Sequence, residues 1–332
     1  MHDRHPVGLD PDLDRALALG RDDLARLDGR HIVMTGGTGF VGSWLLELLA
    51  WSADRLGTDP RVTVVTRRPG RFAERRPHLA GHRCVHLVEG DVRREPVVGR
   101  PVDLFVAGAA ASLAAGDATS EDDLRRTQEG GARTARRFLD RDGCRVLLLS
   151  SGAAARDGGA YGAAKRAAEA ELLRGVGAQR TSVARLYAFV GPYLPLDQAF
   201  AVGNFVGDVL AGRPILVRGD GSPRRTFLYA ADLARWLWTV AVRGAPATIY
   251  DVGSDEVVTI RELAGRLAAL AEPALRVAVE HGSVGSAAGD NYVPSLGPTD
   301  QLGLRPAWDL DAALSRTVDW HRRGLKLVDT HR

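Results

Sequence analysis

The 332-residue sequence predicts an α/β fold: a doubly wound parallel sheet with a smaller α/β lobe attached to it. Three observations predict it. Short apolar strand-like runs alternate with helical runs up to about residue 190, a glycine-rich turn joins the first strand to an apolar helix, and Gly and Pro break the later chain into short segments. Alternating strands and helices are typical of a parallel sheet that helices cover on both faces.

Each strand is predicted from a short run rich in Val, Leu or Ile. In chain order these runs are 31–35, 61–66, 85–89, 102–107, 146–150, 181–186 and 249–252. An apolar helix is predicted at 41–51, a charged helix at about 120–140, and a further helix from Tyr161 to Leu173. The last strand returns to the main sheet, so the two lobes interleave along the chain.

Composition divides the chain into three parts. Residues 1–28 carry leucines at helical spacing among alternating charges, interrupted by Gly20, and predict a short helical extension that packs on the main domain. Residues 29–190 are the predicted Rossmann-type dinucleotide-binding domain. Residues 191–332 are the predicted substrate-binding lobe, of which about 230–255 returns to the Rossmann-type domain.

Charge and hydropathy exclude several classes of function. The formal net charge is only +3, because 44 basic residues are balanced by 41 acidic ones without a basic stripe, so a nucleic-acid partner is not expected. No run of about 18 apolar residues predicts a membrane span, and no signal-peptide stretch opens the chain, so a cytoplasmic protein is expected. Cys84 and Cys144 are isolated in apolar segments and predict buried thiols, and no metal site is predicted.

Glycines at 36, 39 and 42 follow the first strand and precede the apolar helix. Such glycines permit a tight turn, close backbone approach to a pyrophosphate and close helix packing, while the helix N-terminus donates N–H groups to the anion. The alternative is an ordinary strand–helix turn, but the flanking elements favour a dinucleotide. The predicted cofactor contacts in this turn are Gly36, Thr38, Gly39, Phe40, Val41 and Gly42.

The end of the second strand indicates which dinucleotide binds. An Asp or Glu there accepts from the ribose hydroxyls of NAD, whereas Arg suits the 2′-phosphate of NADP. This chain has Arg67 and Arg68 and no acid, which favours NADP, with NAD possible. The two arginines could also be a solvated basic surface. After the third strand, Asp91 and Val92 are predicted to contact the cofactor; Asp91 could accept from the adenine amine, or it could instead cap its loop.

Tyr161 and Lys165 are four residues apart, so a helix presents both on one face. Lys165 is one of only two lysines in the chain. A nearby ammonium is expected to lower the phenol pKa from about 10 toward neutrality, as a general acid or base requires. Ser150 and Ser151 end the preceding strand, where a hydroxyl can hydrogen-bond a substrate oxygen.

Taken together, these segments resemble the extended short-chain dehydrogenases/reductases, in the branch of NAD(P)-dependent epimerases and dehydratases that act on nucleotide sugars. The matching segments are 35–42, 90–92, 150–151, 161–166, 185–192, 225–232 and 250–253. The resemblance implies that Ser151 is the catalytic hydroxyl, Tyr161 the acid/base and Lys165 the ribose-binding partner. It also implies a homodimer built on the helices 120–140 and 161–174.

The same resemblance implies further contacts. Ala107, at the end of the fourth strand, would border the cofactor, although the family usually has His there. Asn204 and Arg225 would bind substrate together with Ser151, Arg225 through the diphosphate of a nucleotide sugar, unless it is a surface arginine. Thr127 and Ala188 stand where the family tends to have Asn.

A further departure bears on the reaction. Sugar 4,6-dehydratases carry Asp-Glu directly after the catalytic hydroxyl, whereas this chain has Gly152 and Ala153 and only nine residues between Ser151 and Tyr161. The sequence therefore favours reduction of a 4-keto-6-deoxy sugar nucleotide. The alternatives are an NAD-dependent 4-epimerase or dehydratase, and a cofactor-binding module without catalysis.

Overall fold

The computed structural model describes residues 8–94, 96, 98–110, 120–156, 159–196, 200–280 and 291–329, with side chains to 324. Its strands are β1 His31–Thr35, β2 Arg61–Thr66, β3 Val85–Glu89, β4 Leu104–Ala107, β5 Arg145–Ser151, β6 Thr181–Leu186, β7 Phe189–Val190, β8 Ile215–Val217, β9 Arg224–Thr226, β10 Leu228–Tyr229, β11 Thr248–Val252, β12 Val257–Thr259, β13 Val277–Val279 and β14 Asn291–Tyr292. Its helices are α1 Asp10–Ala25, α2 Phe40–Leu56, α3 Pro69–Arg75, α4 Pro77–Ala80, α5 Glu121–Asp142, α6 Gly159–Leu172, α7 Ala201–Leu210, α8 Ala230–Arg243, α9 Ile260–Ala268, α10 Gly297–Gln301 and α11 Leu310–Asp329.

Seven strands form one sheet in the order β11-β6-β5-β4-β1-β2-β3, and every neighbouring pair is parallel. The predicted Rossmann-type doubly wound sheet is confirmed. Strand side chains alternate between two apolar cores: Ile32 and Met34 of β1 join the core under α2 and α8, while Val33 joins the core under α5 and α6. Burial on both faces explains why these strands are apolar almost throughout.

The later chain forms small sheets and then rejoins the large one. The small sheets pair β10 with β7, β9 with both β12 and β14, and β13 with β8. Helix α8 buries Trp236 and Trp238 fully, and the Trp238 indole donates to the carbonyl of Leu45 on α2 at 3.1 Å. Strand β11 then pairs with β6, so the return of the chain to the main sheet is part of the structure.

Helix α1 runs through Gly20, so the expected interruption at that residue is wrong. A Cβ at Gly20 would lie 3.1 Å from Cγ of Arg235 on α8, which shows that the glycine serves close helix packing. Leu9 and Leu13 are fully buried against the main domain. Asp12, also buried, accepts from the Tyr229 hydroxyl at 2.5 Å, and its other oxygen lies 3.0 Å from Arg316.

Two further observations concern classes of function. Among the described residues, no helix combines the length and apolar character needed to cross a membrane. The predicted burial of Cys84 and Cys144 is confirmed.

Candidate active site

The glycine turn after β1 is held by contacts that leave no room for side chains. Gly36 has a φ of +74°, and a Cβ there would lie 2.2 Å from the carbonyl oxygen of Gly108, just after β4. A Cβ at Gly42 would lie 2.4 Å from Cα of Gly37. These two glycines are therefore required by the turn itself and by the packing of α2 on it.

Gly39 differs from them, because no neighbouring protein atom explains it. It is exposed, and a Cβ there would meet only the Gly36 oxygen, at 3.5 Å. Within the described residues no side chain caps the N-terminus of α2, which begins at Phe40. Exposed N–H groups beside an open glycine fit the pyrophosphate of a dinucleotide. Thr38, Phe40 and Val41 are half-buried around this position.

At the ends of β2 and β3 the predicted nucleotide contacts lie at the surface. Arg67 and Arg68 are exposed, and within residues 8–94 neither guanidinium forms a hydrogen bond or an ion pair. Asp91 is already engaged, since both of its oxygens accept from the Arg93 guanidinium at 2.6–3.0 Å. That pairing lowers the pKa of Asp91. The Val92 carbonyl accepts from the Thr134 hydroxyl on α5 at 2.9 Å.

The predicted catalytic residues meet at the carboxyl end of β5. Ser151 is the last residue of β5, and Tyr161 and Lys165 lie on the first two turns of α6. Tyr161 hydrogen-bonds the Ser151 hydroxyl. The Lys165 ammonium is 3% exposed, lies 5.8 Å from the Tyr161 ring centroid and donates to the carbonyl of Leu149 at 2.9 Å.

This cluster and the glycine turn are neighbours because of the strand order. Strand β4 lies between β1 and β5, and Ala107 at its buried end pairs with Thr35 on one side and Leu148 on the other. A Cβ at Gly108 would lie 2.9 Å from the Leu149 side chain. The sheet therefore brings the dinucleotide turn and the Ser–Tyr–Lys cluster to one edge, where ligands of such sheets bind.

The expected direction of the Tyr161 pKa shift is wrong for this structure. Burial raises the pKa of Tyr161 above its usual value, against the hydrogen bond to Ser151, which lowers it. Burial also lowers the pKa of Lys165 to about 8, against the carboxylate of Glu169, which raises it. Tyr161 is therefore a neutral phenol at neutral pH, and Lys165 still carries its proton.

Sequence reasoning missed the partner of this ammonium on α6. Glu169 is buried one turn after Lys165 and accepts from the Arg185 guanidinium at 2.9 and 2.7 Å. It also accepts from the Ser150 hydroxyl at 2.5 Å. The carboxylate thus links α6 to β5 and β6. Because the Ser150 hydroxyl donates to this carboxylate, Ser151 is the serine that pairs with Tyr161. The spacing of Lys165 and Glu169 was the available signal.

A second tyrosine at the site was also missed. The hydroxyl of Tyr292, on β14, lies 3.0 Å from the Ser151 hydroxyl and donates to the carbonyl of Leu186 at 3.2 Å. Its ring centroid lies 4.7 Å from that of Tyr187 and 5.8 Å from the guanidinium carbons of Arg156 and Arg225. No local pattern marks Tyr292, because the pairing of β14 with β9 brings it here.

The predicted substrate residues lie on three different elements, β5, α7 and β9. Arg225, on β9, is half-buried and borders the cluster through the Tyr292 ring. Asn204 is exposed on α7, and its side chain forms no hydrogen bond within residues 200–280.

The space beside residue 152 is occupied by a neighbouring ring: a Cβ at Gly152 would lie 2.7 Å from the ring of Tyr187. A carboxylate side chain at that position would require the ring to move.

Comparison with known proteins agrees with this architecture. The model of the family described as NAD dependent epimerase/dehydratase matches residues 32–253. UDP-glucuronic acid decarboxylase 1 of Arabidopsis thaliana is 26% identical over 269 residues, which cover 74% of this chain and 60% of that protein. This chain thus spans less than two thirds of that relative.

Two solved structures share the fold. An epimerase from Methanothermobacter thermautotrophicus superposes with a TM-score of 0.77 at 19% identity, covering 95% of this chain and 98% of that one. A dTDP-glucose 4,6-dehydratase from Streptomyces venezuelae, solved with NAD bound, gives a TM-score of 0.72 at 24% identity, covering 90% of this chain and 98% of that one. With the family model matching most of the chain, including the glycine turn, Ser151, Tyr161 and Lys165, the protein belongs to the NAD dependent epimerase/dehydratase family.

Proposed function

We propose that this protein is an NAD(P)-dependent nucleotide-sugar oxidoreductase that reduces the 4-keto group of a 4-keto-6-deoxy sugar nucleotide. The observation that carries the proposal is the Tyr161 phenol, hydrogen-bonded to Ser151 beside the buried ammonium of Lys165. The bound dinucleotide would supply the hydride for the sugar carbon. Reduction of a carbonyl also needs a proton for its oxygen, and burial keeps that proton on Tyr161 at neutral pH.

Each residue of the cluster has a separate part in this proposal. Ser151 would hydrogen-bond the carbonyl oxygen of the substrate and orient it toward Tyr161. Tyr161 would donate its proton to that oxygen. Lys165 would hydrogen-bond the cofactor ribose and stabilise the phenolate that remains, because an ammonium nearby favours the charged form.

Dehydration by an acid–base carboxyl pair is poorly supported. Gly152 and Ala153 follow Ser151, and the ring of Tyr187 lies where a side chain of residue 152 would be. Glu169, the carboxylate that α6 does place near the site, is held by Ser150 and by Arg185. These bonds hold Glu169 and α6 in place, so we do not expect Glu169 to transfer protons to or from a substrate.

The cofactor preference follows from the end of β2. NAD is the cofactor named with the family and held by the Streptomyces dehydratase, while exposed Arg67 and Arg68 favour the 2′-phosphate of NADP in this chain. We expect NADPH to raise the melting temperature more than NADH, since a ligand that binds only the folded state stabilises it. In the Arg67→Ala, Arg68→Ala double variant the two shifts should become equal. A larger shift with NADH in the wild type would contradict NADP.

The reaction is tested by oxidation of NADPH in the presence of a 4-keto-6-deoxy sugar nucleotide. We expect stoichiometric oxidation, and a loss of about 10²- to 10⁴-fold in kcat in Tyr161→Phe, the range that general acid–base assistance contributes. Tyr250→Phe is the matched control, because Tyr250 is a buried tyrosine on β11 whose hydroxyl accepts from the Ala245 N–H and has no bond to Ser151 among the described residues.

Other outcomes separate the rival functions. Interconversion of two sugar nucleotides by a protein that retains its cofactor, without net consumption of NADPH, would indicate a 4-epimerase. Cofactor binding without turnover, and no effect of Tyr161→Phe, would indicate a non-catalytic module.

We further propose a homodimer that uses α5 and α6, which pack side by side on one face of the sheet. The outer face of α5 carries exposed arginines, among them Arg126 and Arg133, each paired with an acid on the same helix. An interface of such charges weakens as salt screens them. Sedimentation velocity should show a dimer at low ionic strength that dissociates at high ionic strength; a monomer under both conditions would contradict this.

A further inference from the structure

Three charged side chains meet where α6 packs on β5 and β6. Lys165 and Glu169 of α6 are buried, with 3% and 5% of their surfaces exposed, and Arg185 of β6 is half-buried. Burial of a charge is unfavourable unless an opposite charge or hydrogen bonds compensate for it. The carboxylate of Glu169 has both cations as neighbours, so one negative charge compensates for two positive ones.

Lys165 and Glu169 are fixed side by side. They are four residues apart on one helix, which places them on the same face of α6. The Lys165 ammonium donates to the carbonyl of Leu149 at 2.9 Å, and the Glu169 carboxylate accepts from the hydroxyl of Ser150 at 2.5 Å. Leu149 and Ser150 are consecutive residues of β5, so the strand holds the two charges next to each other.

Glu169 is also bound by Arg185. The guanidinium donates to one carboxylate oxygen at 2.9 Å and to the other at 2.7 Å. In every hydrogen bond that the described residues make with this carboxyl group its oxygens accept, as those of an ionised carboxylate do. Arg185 and Ser150 thus hold a negative charge at a fixed place beside Lys165.

We propose that Glu169 is a positioning residue of the candidate active site, which keeps the Lys165 ammonium charged and so sets the highest pH at which the protein catalyses its reaction. The inference rests on the proposed function in one respect, the stabilisation of the Tyr161 phenolate by that ammonium. Burial lowers the pKa of Lys165 to about 8, and Glu169 raises it against this effect. Without the carboxylate, burial would act unopposed, and the ammonium would lose its proton closer to neutral pH.

The other groups around Lys165 do not replace this carboxylate. On α6, Tyr161 is a neutral phenol at neutral pH, and the carboxyl end of β5 contributes serine hydroxyls. None of the buried residues of α5, which packs on α6, is charged. Arg185 is engaged by Glu169, with Asp251 of β11 as a further acidic neighbour. Within the described residues, Glu169 is therefore the anion that acts on Lys165.

The test is the titration of Lys165 in Glu169→Gln. The chain has two lysines, so protein labelled with ¹³C at lysine Cε gives two signals, which Lys326→Arg assigns. Glutamine keeps the length of the side chain and a carbonyl oxygen but carries no charge. We expect the midpoint of the Lys165 titration to fall by about one pH unit, because the ammonium loses a neighbouring negative charge.

The opposite direction is expected if Glu169 only holds α6 in place. Its replacement would then loosen the helix and admit water, and the Lys165 midpoint would rise towards the usual 10.5. An unchanged or higher midpoint in Glu169→Gln would therefore overturn the proposal.

Glu171→Gln is the matched control. It is the same substitution on the same helix, at a residue whose side chain is 36% exposed and lies 3.9 Å from the guanidinium of Arg174. Lys165 should titrate in this variant as in the wild type. A fall of the same size in Glu171→Gln would overturn the assignment to Glu169.

A double variant covers the case in which Glu169→Gln does not fold. Removing one partner of a buried ion pair leaves the other charge unpaired, whereas replacing both partners is better tolerated. Glu169→Gln combined with Arg185→Met removes both charges, and Arg185 is not among the described groups that shift the pKa of Lys165. The Lys165 midpoint should fall here as well. A midpoint at or above the wild-type value would overturn the proposal.

These titrations need neither substrate nor cofactor, so they separate the inference from the proposed function. If the midpoint falls but no keto-sugar nucleotide is reduced, the effect of Glu169 on Lys165 stands and the proposed reaction is rejected. In an active enzyme, the high-pH limb of kcat should move to lower pH in Glu169→Gln by as much as the midpoint does, and stay in place in Glu171→Gln. A lower kcat with an unmoved limb would show that Glu169 does not set the pH limit.

Discussion

At the scale of single residues, Lys165 shows why this site uses lysine in a chain that otherwise relies on arginine. Its ammonium is buried, donates to the Leu149 carbonyl and has its pKa lowered by burial to about 8. A guanidinium is larger, and its charge is spread over a rigid planar fork. The compact ammonium fits between β5 and the Tyr161 ring and still carries a proton at neutral pH.

A pH-dependent stability follows from this burial. The folded pKa of Lys165 lies below its usual 10.5. Between about pH 8 and pH 10.5 the folded chain therefore releases a proton that the unfolded chain still holds, and the free energy of unfolding rises with pH over that range. Lys165→Met has no ammonium at this position, so its stability lacks this pH dependence. Urea unfolding between about pH 7 and pH 9.5 should show the wild type gaining on the variant above about pH 8. A constant difference between the two proteins would contradict the shift.

At the scale of elements, the glycines of the turn between β1 and α2 are needed for two different reasons. Gly36 and Gly42 are required by neighbouring backbone, whereas Gly39 faces open space at the start of α2. The helix itself is apolar and buried for most of its length, so its N-terminus is rigidly positioned by the core. The turn therefore presents backbone donors at a fixed place on the sheet edge.

Substitution by alanine should distinguish these glycines. Gly42→Ala should lower the free energy of unfolding by about 1–3 kcal/mol, because its Cβ would overlap Gly37. Gly39→Ala should leave the cofactor-free melting temperature nearly unchanged and abolish the rise that NADPH produces. Gly265→Ala, in α9 with no atom within 4 Å of the new Cβ, is the control and should be neutral or stabilising. Equal cofactor responses of Gly39→Ala and the wild type would count against the turn as the pyrophosphate site.

The N-terminal helix α1 is part of the core. Leu13 is fully buried, whereas Leu19, on the same helix, is 56% exposed. We expect Leu13→Ala to cost about 2–5 kcal/mol in the free energy of unfolding through the cavity it leaves. Leu19→Ala should change it by less than about 0.5 kcal/mol. Similar effects of the two substitutions in denaturant titrations would show that α1 does not pack as described.

At the scale of the whole molecule, the two lobes share one core. The large apolar cluster includes Leu45 of α2, Phe205 of α7, Trp236 of α8 and Leu263 of α9. The candidate catalytic cluster also draws on both lobes, because β5 and α6 supply Ser151 and Tyr161 while β14 supplies Tyr292. The site can form only when the small sheets are docked on the large one.

Shared packing predicts cooperative unfolding. In scanning calorimetry we expect a single transition whose calorimetric and van't Hoff enthalpies agree, although chains of two lobes often depart from two-state behaviour. NADPH should move the whole transition upward, since both lobes unfold together. Two resolved transitions, with only one responding to NADPH, would contradict a common core.

The sequence was sufficient where the determining interactions are local. The bounds of β1, β2, β3 and β6 agree with the apolar runs that predicted them, and the glycine spacing located the turn before α2. The i, i+4 spacing of Tyr161 and Lys165 likewise placed both on one helix face, because helical geometry relates residues one turn apart. Periodicity and turn chemistry are properties of neighbouring residues, so they can be read without knowing the fold.

Only the tertiary structure decided what surrounds those residues. Tyr292 reaches Ser151 through the pairing of β14 with β9, and Glu169 meets Arg185 across the gap between α6 and β6. The pKa of Tyr161 moves opposite to the expectation for the same reason: burial, which depends on segments far along the chain, raises it and outweighs the hydrogen bond to Ser151. Desolvation and hydrogen-bond direction depend on every neighbour in space, and strand order determines those neighbours.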